Sequence, residues 1–133
     1  MPEAALAFAD GFKVNPKNLD LLSSDAELAF VQGDLTRCQA RIAAALPLVK
    51  RDNEFFAILP FYQWLSNPAQ GWQPVLTAIQ GIGPKVKFKW SFDTTKPALG
   101  RLDEKTQQIA RHFIEFFEGK IDLPTLQGRL AKH

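Results

Sequence analysis

Cys38 is the residue of this chain best suited by type to nucleophilic chemistry, and it is the only cysteine among the 133 residues. A cysteine nucleophile needs a neighbouring base and an accessible, electropositive setting. Arg37 and Arg41 lie near it in the sequence, but Cys38 falls on the apolar stripe of a predicted helix. We therefore expect a buried cysteine with a structural role. A single cysteine also excludes an internal disulfide.

His112 and Glu115 are the pair whose spacing could serve a metal ion. Residues three apart share one face of a helix, and a helix is predicted over 103–118. A carboxylate-bridged metal site needs ligands from several helices, whereas the only other histidine is His133. We therefore expect no metal and no cofactor. The chain also lacks the usual nucleotide-binding and hydrolase motifs, so we favour a protein that is not an enzyme, while leaving catalysis open.

A glycine-rich turn with lysines after it is the third candidate site. The stretch LTAIQGIGPK at 76–85 resembles the turn of a helix-hairpin-helix motif. That resemblance implies a domain that grips the nucleic-acid backbone, because glycines let the chain approach phosphates and exposed amides bind anions. An ordinary glycine-rich turn that enters a strand is the alternative. The candidate nucleic-acid-binding residues are Gly81, Gly83, Lys85, Lys87 and Lys89.

The pattern changes from helical to alternating after this turn. Apolar and polar residues alternate from 86 to 92, with aromatic rings at 88, 90 and 92. This alternation is typical of a strand, and its best partner in a small two-stranded element is 55–59. Interleaved lysines and rings could bind single-stranded nucleic acid through charge and stacking. The alternative is an edge strand whose lysines deter aggregation and whose rings face the core.

Elsewhere the apolar residues recur at spacings of three and four, which predicts a mostly α fold, a compact bundle of five or six helices. Asp34, Asp103 and Asp122 are placed to cap three of these helices. For 53–65 we prefer a helix, although 55–59 alone also fits a strand. The predicted core is Leu22, Phe30, Leu35, Cys38, Ile42, Phe56, Leu76, Ile79, Ile109, Phe113, Ile114 and Phe117.

The helical hairpin around Gly33 resembles one unit of a tetratricopeptide repeat. The resemblance rests on AELAFVQGDL at 26–35 and on an apolar stripe that ends in AAALP at 43–47. Units of this family work by stacking, and the resemblance implies that a protein or peptide binds in a groove between helices. Any antiparallel helical hairpin has the same features, and this alternative stays open.

Aromatic residues give the main indication of function. The chain has 11 Phe, 3 Trp and 1 Tyr. Most of the Phe rings belong in a core, but aromatic residues are also enriched at binding surfaces. We predict a non-catalytic protein-protein interaction or regulatory module, such as an adaptor, inhibitor or immunity-type protein, with nucleic-acid binding as the alternative. The candidate partner-binding residues are Phe61, Tyr62, Trp64, Trp72 and Trp90.

Length and charge set the remaining expectations. A chain of 133 residues fits one domain, 1–133. Its net charge of +2 is too small to indicate a nucleic-acid binder by itself. No uninterrupted apolar run reaches the ~18 residues that a membrane-spanning helix needs, and the first residues lack the basic segment of a signal peptide. Together with the single cysteine, these features predict a cytoplasmic protein that does not bind membranes.

Overall fold

The computed structural model describes residues 19–83 and 86–132, and these residues are mostly helical. Backbone contacts divide the chain into two compact units, Met1–Val86 and Lys87–His133. The single domain expected from the length stays a prediction. The α-helices are α1 (Leu19–Gln32), α2 (Leu35–Ala45), α3 (Phe55–Ser66), α4 (Gln73–Gly81), α5 (Thr95–Ala98), α6 (Glu104–Phe117) and α7 (Leu123–Leu130). Short 3-10 turns lie at Leu46–Leu48, Pro68–Gln70 and Leu99–Arg101.

The mostly α class is confirmed, but the described residues hold seven α-helices rather than five or six. The additional helix is α5, which is only four residues long. Pro97 is the third residue of α5. The first four N–H groups of a helix have no intrahelical partner, so a proline at this position forfeits no hydrogen bond. The proline therefore does not prevent a single helical turn.

The small two-stranded element does not form among the described residues. Residues 55–59 lie inside α3, and 86–92 have no regular secondary structure. A strand needs a partner for its backbone hydrogen bonds, and the proposed partner is helical. The predicted alternation survives in a different form, because exposed residues at 87, 89 and 91 alternate with half-buried or buried residues at 86, 88, 90 and 92.

In the first unit, α1 and α2 form a hairpin that reverses at Gly33. Gly33 has a positive φ of 80°, which favours glycine. The Asp34 carboxylate then caps α2, because its Oδ1 accepts a hydrogen bond from the backbone N–H of Arg37 over 3.1 Å. The cap predicted at Asp34 is thus confirmed. The hairpin has the helix-turn-helix form that the tetratricopeptide resemblance implies for one unit.

Helix α3 is the centre of the first unit and packs against α1, α2 and α4. It is apolar on nearly all sides, as expected for a helix enclosed by others. Its buried residues are Phe55, Ala57, Ile58, Leu59, Phe61, Tyr62, Trp64, Leu65 and Ser66. The preference for a helix over a strand at 55–59 is therefore confirmed.

The second unit is built on the apolar face of α6, which packs against α7. Phe117 on that face is only 2% exposed. Phe92 stacks on it with ring centroids 5.5 Å apart and an interplanar angle of 14°. The Phe88 ring contacts the same residue, with centroids 5.0 Å apart. These contacts fix the 86–92 segment through side chains instead of a strand ladder.

Nine of the twelve predicted core residues are buried, and three are not. Leu35 is 40% exposed because it is the first residue of α2, directly after the hairpin turn. Phe56 and Leu76 are half-buried. Phe56 lies at the rim of α3 that faces an open groove on the surface of the first unit. No helix in the described part of the chain is long and apolar enough to cross a membrane.

Candidate functional site

The first unit carries an apolar groove between α3, α4 and the segment 46–51. Its volume is about 760 Å³. We call it the α3–α4 groove, and it is lined by Leu46, Val49, Arg51, Phe56, Pro60, Gln73, Pro74, Thr77, Ala78 and Gly81.

Helix α4 presents different residues to its two sides. Val75 and Ile79 are buried in the core. The opposite side carries the smaller residues that line the groove, at 74, 77, 78 and 81. Spacings of three and four place these residues on one helix face. Small side chains on one wall of the groove leave room for another chain to approach α4.

None of the residues that line the groove is buried. Arg51, Gln73, Pro74 and Thr77 are exposed, and the remaining lining residues are half-buried. The groove is therefore an open trough on the surface, and it leaves the apolar side chains of Leu46, Val49, Phe56 and Pro60 in contact with water. Apolar surface of this kind is typical of a site that another molecule covers.

Among the described residues that line the groove, Arg51 is the only charged one. Its Nε donates a hydrogen bond to the carbonyl oxygen of Gly81 over 2.6 Å. Its own carbonyl oxygen accepts a hydrogen bond from the N–H of Gly83 over 2.8 Å. These two bonds tie the start of the 81–83 turn to the segment that precedes α3. They also hold the Arg51 guanidinium at one end of the groove.

Thr77 and Pro60 also affect the hydrogen bonding of the two helices that line the groove. The Thr77 hydroxyl donates to the carbonyl oxygen of Gln73 over 3.1 Å. Pro60 lies inside α3 and has no N–H, so the carbonyl of Phe56 lacks its usual donor. The polar side chains of the described lining are thus the Arg51 guanidinium, the Thr77 hydroxyl and the Gln73 amide, within a mainly apolar surface.

Three of the five aromatic residues proposed to bind a partner lie in the core. Phe61, Tyr62 and Trp64 are 0%, 1% and 2% exposed, so they are not part of the surface that we infer. The Tyr62 hydroxyl donates to Glu27 Oε2 over 2.7 Å, which ties α3 to α1. Trp72 and Trp90 are half-buried and lie outside the residues that line the groove.

Of the residues proposed to bind nucleic acid, Gly81 and Gly83 lie in the first unit and Lys87 and Lys89 in the second. Gly81 ends α4 and lines the apolar groove, and the N–H of Gly83 is taken by Arg51. Lys85 lies outside the described residues. Lys87 and Lys89 are exposed. The second helix implied by the helix-hairpin-helix resemblance does not form at 86–92, because side-chain packing on Phe117 holds this segment outside any helix.

Cys38 and the His112–Glu115 pair show no catalytic or metal-binding arrangement among the described residues. Cys38 is fully buried. Burial raises the pKa of its thiol to about 12, with a further contribution from the negative charge of Asp25. Glu115 forms an ion pair with Arg129. In the described part of the chain, no group of three His, Cys, Asp or Glu residues could hold a metal ion.

Comparison with protein-family models, with curated proteins and with solved structures found no match to this chain.

Sequence reasoning missed the α3–α4 groove because its residues come from three separated segments. A partial signal was present in α4, where small residues at 74, 77, 78 and 81 share one face and Val75 and Ile79 share the other. An ordinary surface helix would place charged or long polar residues opposite its core face. The shortage of such residues on α4 is the feature that could have indicated a binding face.

Proposed function

We propose that the protein is a cytoplasmic, non-catalytic interaction or regulatory module of the adaptor, inhibitor or immunity type, and that it binds its partner in the α3–α4 groove. The observation that carries the proposal is an open apolar trough of about 760 Å³ on the surface of the first unit. A partner that covers the trough removes apolar surface from water, which is the main driving force of most protein associations.

The chemistry of the lining supports binding over catalysis. General acid-base catalysis needs a group that can exchange a proton near neutral pH. Arg51, the one charged lining residue, stays protonated in proteins. The Thr77 hydroxyl, the one alcohol in the lining, is hydrogen-bonded to its own helix. The groove thus offers contact surface and one fixed positive charge.

The test compares two baits that differ at neighbouring positions of α4. Ala78→Leu places a larger side chain in the groove, whereas Gln80→Leu adds the same side chain at an exposed position outside the lining. Each tagged protein is used to capture partners from the cells that express it, with quantitative mass spectrometry. We expect at least one protein to bind wild type and Gln80→Leu equally and to be lost with Ala78→Leu. If every captured protein binds Ala78→Leu as well as wild type, the groove is not the binding site.

Nucleic-acid binding is the second candidate, and it is supported by the exposure of Lys87 and Lys89 on one side of the 86–92 segment. Base stacking in this hypothesis would use Phe88 and Trp90, which are half-buried. We expect any association to be weak and to fall steeply with salt. A gel shift at low salt compares wild type with Lys87→Glu/Lys89→Glu. The control with the same charge change is Lys105→Glu/Lys132→Glu, at two other exposed lysines. Equal binding by the two double variants would exclude this site.

A further inference from the structure

We propose that the α3–α4 groove takes an amphipathic helical peptide of the partner, with apolar residues along α3 and α4 and a carboxylate that pairs with Arg51. This inference rests on the proposed function and adds the chemistry of the partner. It is carried by the single charge of the groove, by its open shape and by the spacing of the small residues on α4.

The positive charge of Arg51 indicates which polar group the partner should carry. The Nε of Arg51 is used by the carbonyl of Gly81, which fixes the plane of the guanidinium. The two terminal nitrogens make no hydrogen bond and no ion pair with any residue in 19–83 or 86–132. A guanidinium held in this way presents a planar set of donors that matches a carboxylate. An Asp or Glu side chain at this end of the groove would complete the pair.

The open shape favours a peptide over an enclosed small molecule. Pockets for small molecules bury most of the surface of their ligand. The α3–α4 groove has no buried lining residue, and its α4 side is exposed at Pro74 and Thr77. A trough of this form covers one face of its ligand and leaves the other face in water. An amphipathic helix has one apolar and one polar face, so it meets both conditions.

The spacing on α4 favours a helix over an extended peptide. The lining positions 74, 77, 78 and 81 follow the helical repeat along two turns of α4. Small residues at these positions let a second helix pack closely along α4. A peptide that binds by strand addition would need an exposed sheet edge for its backbone hydrogen bonds, and the described residues form no strand. The expected anchors are therefore apolar residues of the partner at i, i+3 or i+4, and i+7.

The test selects peptides without assuming a partner. A display library of random helical peptides is panned against the full-length protein, and peptides that also bind Ala78→Leu are removed. We expect the enriched peptides to carry apolar residues at helical spacing and at least one Asp or Glu. Binding of the best peptide, and of versions with that acidic residue changed to its amide or to Lys, is then measured by fluorescence anisotropy.

Reversing the charge at residue 51 tests whether the acidic residue of the peptide pairs with Arg51. With wild type, the amide version should bind about fivefold more weakly than the acidic version, as for an ion pair at an exposed site. Arg51→Lys should keep the preference for the acidic peptide, and Arg51→Glu should reverse it towards the Lys peptide. Lys50→Gln, which removes the neighbouring exposed cation, should leave the preference unchanged. A reversed preference cannot arise from loss of the Gly81 hydrogen bond alone.

The outcomes separate this inference from the proposed function. If the acidic, amide and Lys peptides bind wild type equally while Ala78→Leu and Thr77→Phe abolish binding, the groove binds proteins but the carboxylate inference is wrong. If no peptide depends on residues 77 and 78, the peptide proposal fails, whereas the proposed function fails only if the captured proteins also bind Ala78→Leu as well as wild type. If sedimentation shows a dimer of the protein that Ala78→Leu dissociates, the groove belongs to a second copy of this chain and the peptide proposal is overturned.

Discussion

The Arg37 guanidinium holds the Asp25 carboxylate with two hydrogen bonds: Nε donates to Oδ2 over 3.1 Å, and Nη2 donates to Oδ1 over 2.7 Å. Arg41, one turn later on α2, donates from Nε to the same Oδ2 over 2.8 Å. Asp25 is only 2% exposed, whereas both arginine side chains reach water. The hydrogen bond to Asp25 raises the pKa of Arg37. One buried carboxylate on α1 is therefore neutralised by two arginines on α2.

Asp25→Ala should lower the free energy of unfolding by about 3 kcal/mol, at the lower end of the values for breaking a buried ion pair. The cost arises because Arg37 and Arg41 lose their common partner while part of each side chain stays buried. The effect should stay at the lower end because both arginines can turn towards water. Urea denaturation followed by circular dichroism measures the difference.

Asp20→Ala is the matched control, since Asp20 is an exposed aspartate on the same helix. It should change the free energy of unfolding by less than about 0.5 kcal/mol. If Asp20→Ala and Asp25→Ala lower the free energy of unfolding equally, the ion pairs of Asp25 contribute no stability beyond the change in helix propensity.

Cys38 should be unreactive in the folded protein. Burial raises the pKa of its thiol to about 12, so at about pH 8 the thiol is protonated and enclosed, and only the thiolate is a nucleophile. Ellman's reagent should therefore react with Cys38 only after denaturation. Rapid reaction with the folded protein would contradict the burial that the structure shows.

The same thiol gives a dependence of stability on pH whose sign can be stated. The folded pKa of Cys38, about 12, is above its ordinary value of 9.0. The unfolded chain therefore releases this proton first, and stability is lost as the pH rises from about 9 to about 12. Cys38→Ala should lose this part of the alkaline decline, which urea denaturation at a series of pH values would measure.

Local patterns predicted the elements of this chain well. Asp34 caps α2 as its type and position indicated, and Cys38 and Ile42 are buried on the predicted stripe. Helix spacing and capping act within a few residues, so the sequence displays them directly. The alternation over 86–92 correctly predicted that exposed residues alternate with less exposed ones. It did not predict hydrogen bonding, because a strand depends on a partner elsewhere in the chain.

The candidate site was harder to predict because residue type does not distinguish a core ring from a surface ring. Phe61, Tyr62 and Trp64 have the chemistry of interface residues, but α3 is enclosed by three helices and these rings are core. The α3–α4 groove joins Arg51 to residues some 30 positions away, such as Gly81. Such a juxtaposition depends on how the helices pack, which no local pattern specifies.

Gly119 and Gly100 offer a direct measurement of backbone strain. A Cβ built on either glycine meets no atom within 4 Å, so neither substitution causes a clash. Only Gly119 has a positive φ, 77°, at the end of α6. Gly119→Ala should therefore cost about 1 kcal/mol, because L-residues disfavour this conformation. Gly100→Ala should be neutral or stabilising, since it reduces the freedom of the unfolded chain. Equal stabilities of the two variants in urea denaturation would contradict the left-handed turn at Gly119.

Phe92 should be the residue that fixes the 86–92 segment in the second unit. It is fully buried and stacks on Phe117, so Phe92→Ala should lower the free energy of unfolding by about 3 kcal/mol, as for other buried Phe residues. Lys87→Ala, at an exposed position of the same segment, should have little effect. Trypsin gives a second readout, because loss of the Phe92 anchor should speed cleavage after Lys87 and Lys89. If Phe92→Ala is destabilised while cleavage at these lysines stays at the wild-type rate under folding conditions, the segment is held by contacts other than this ring.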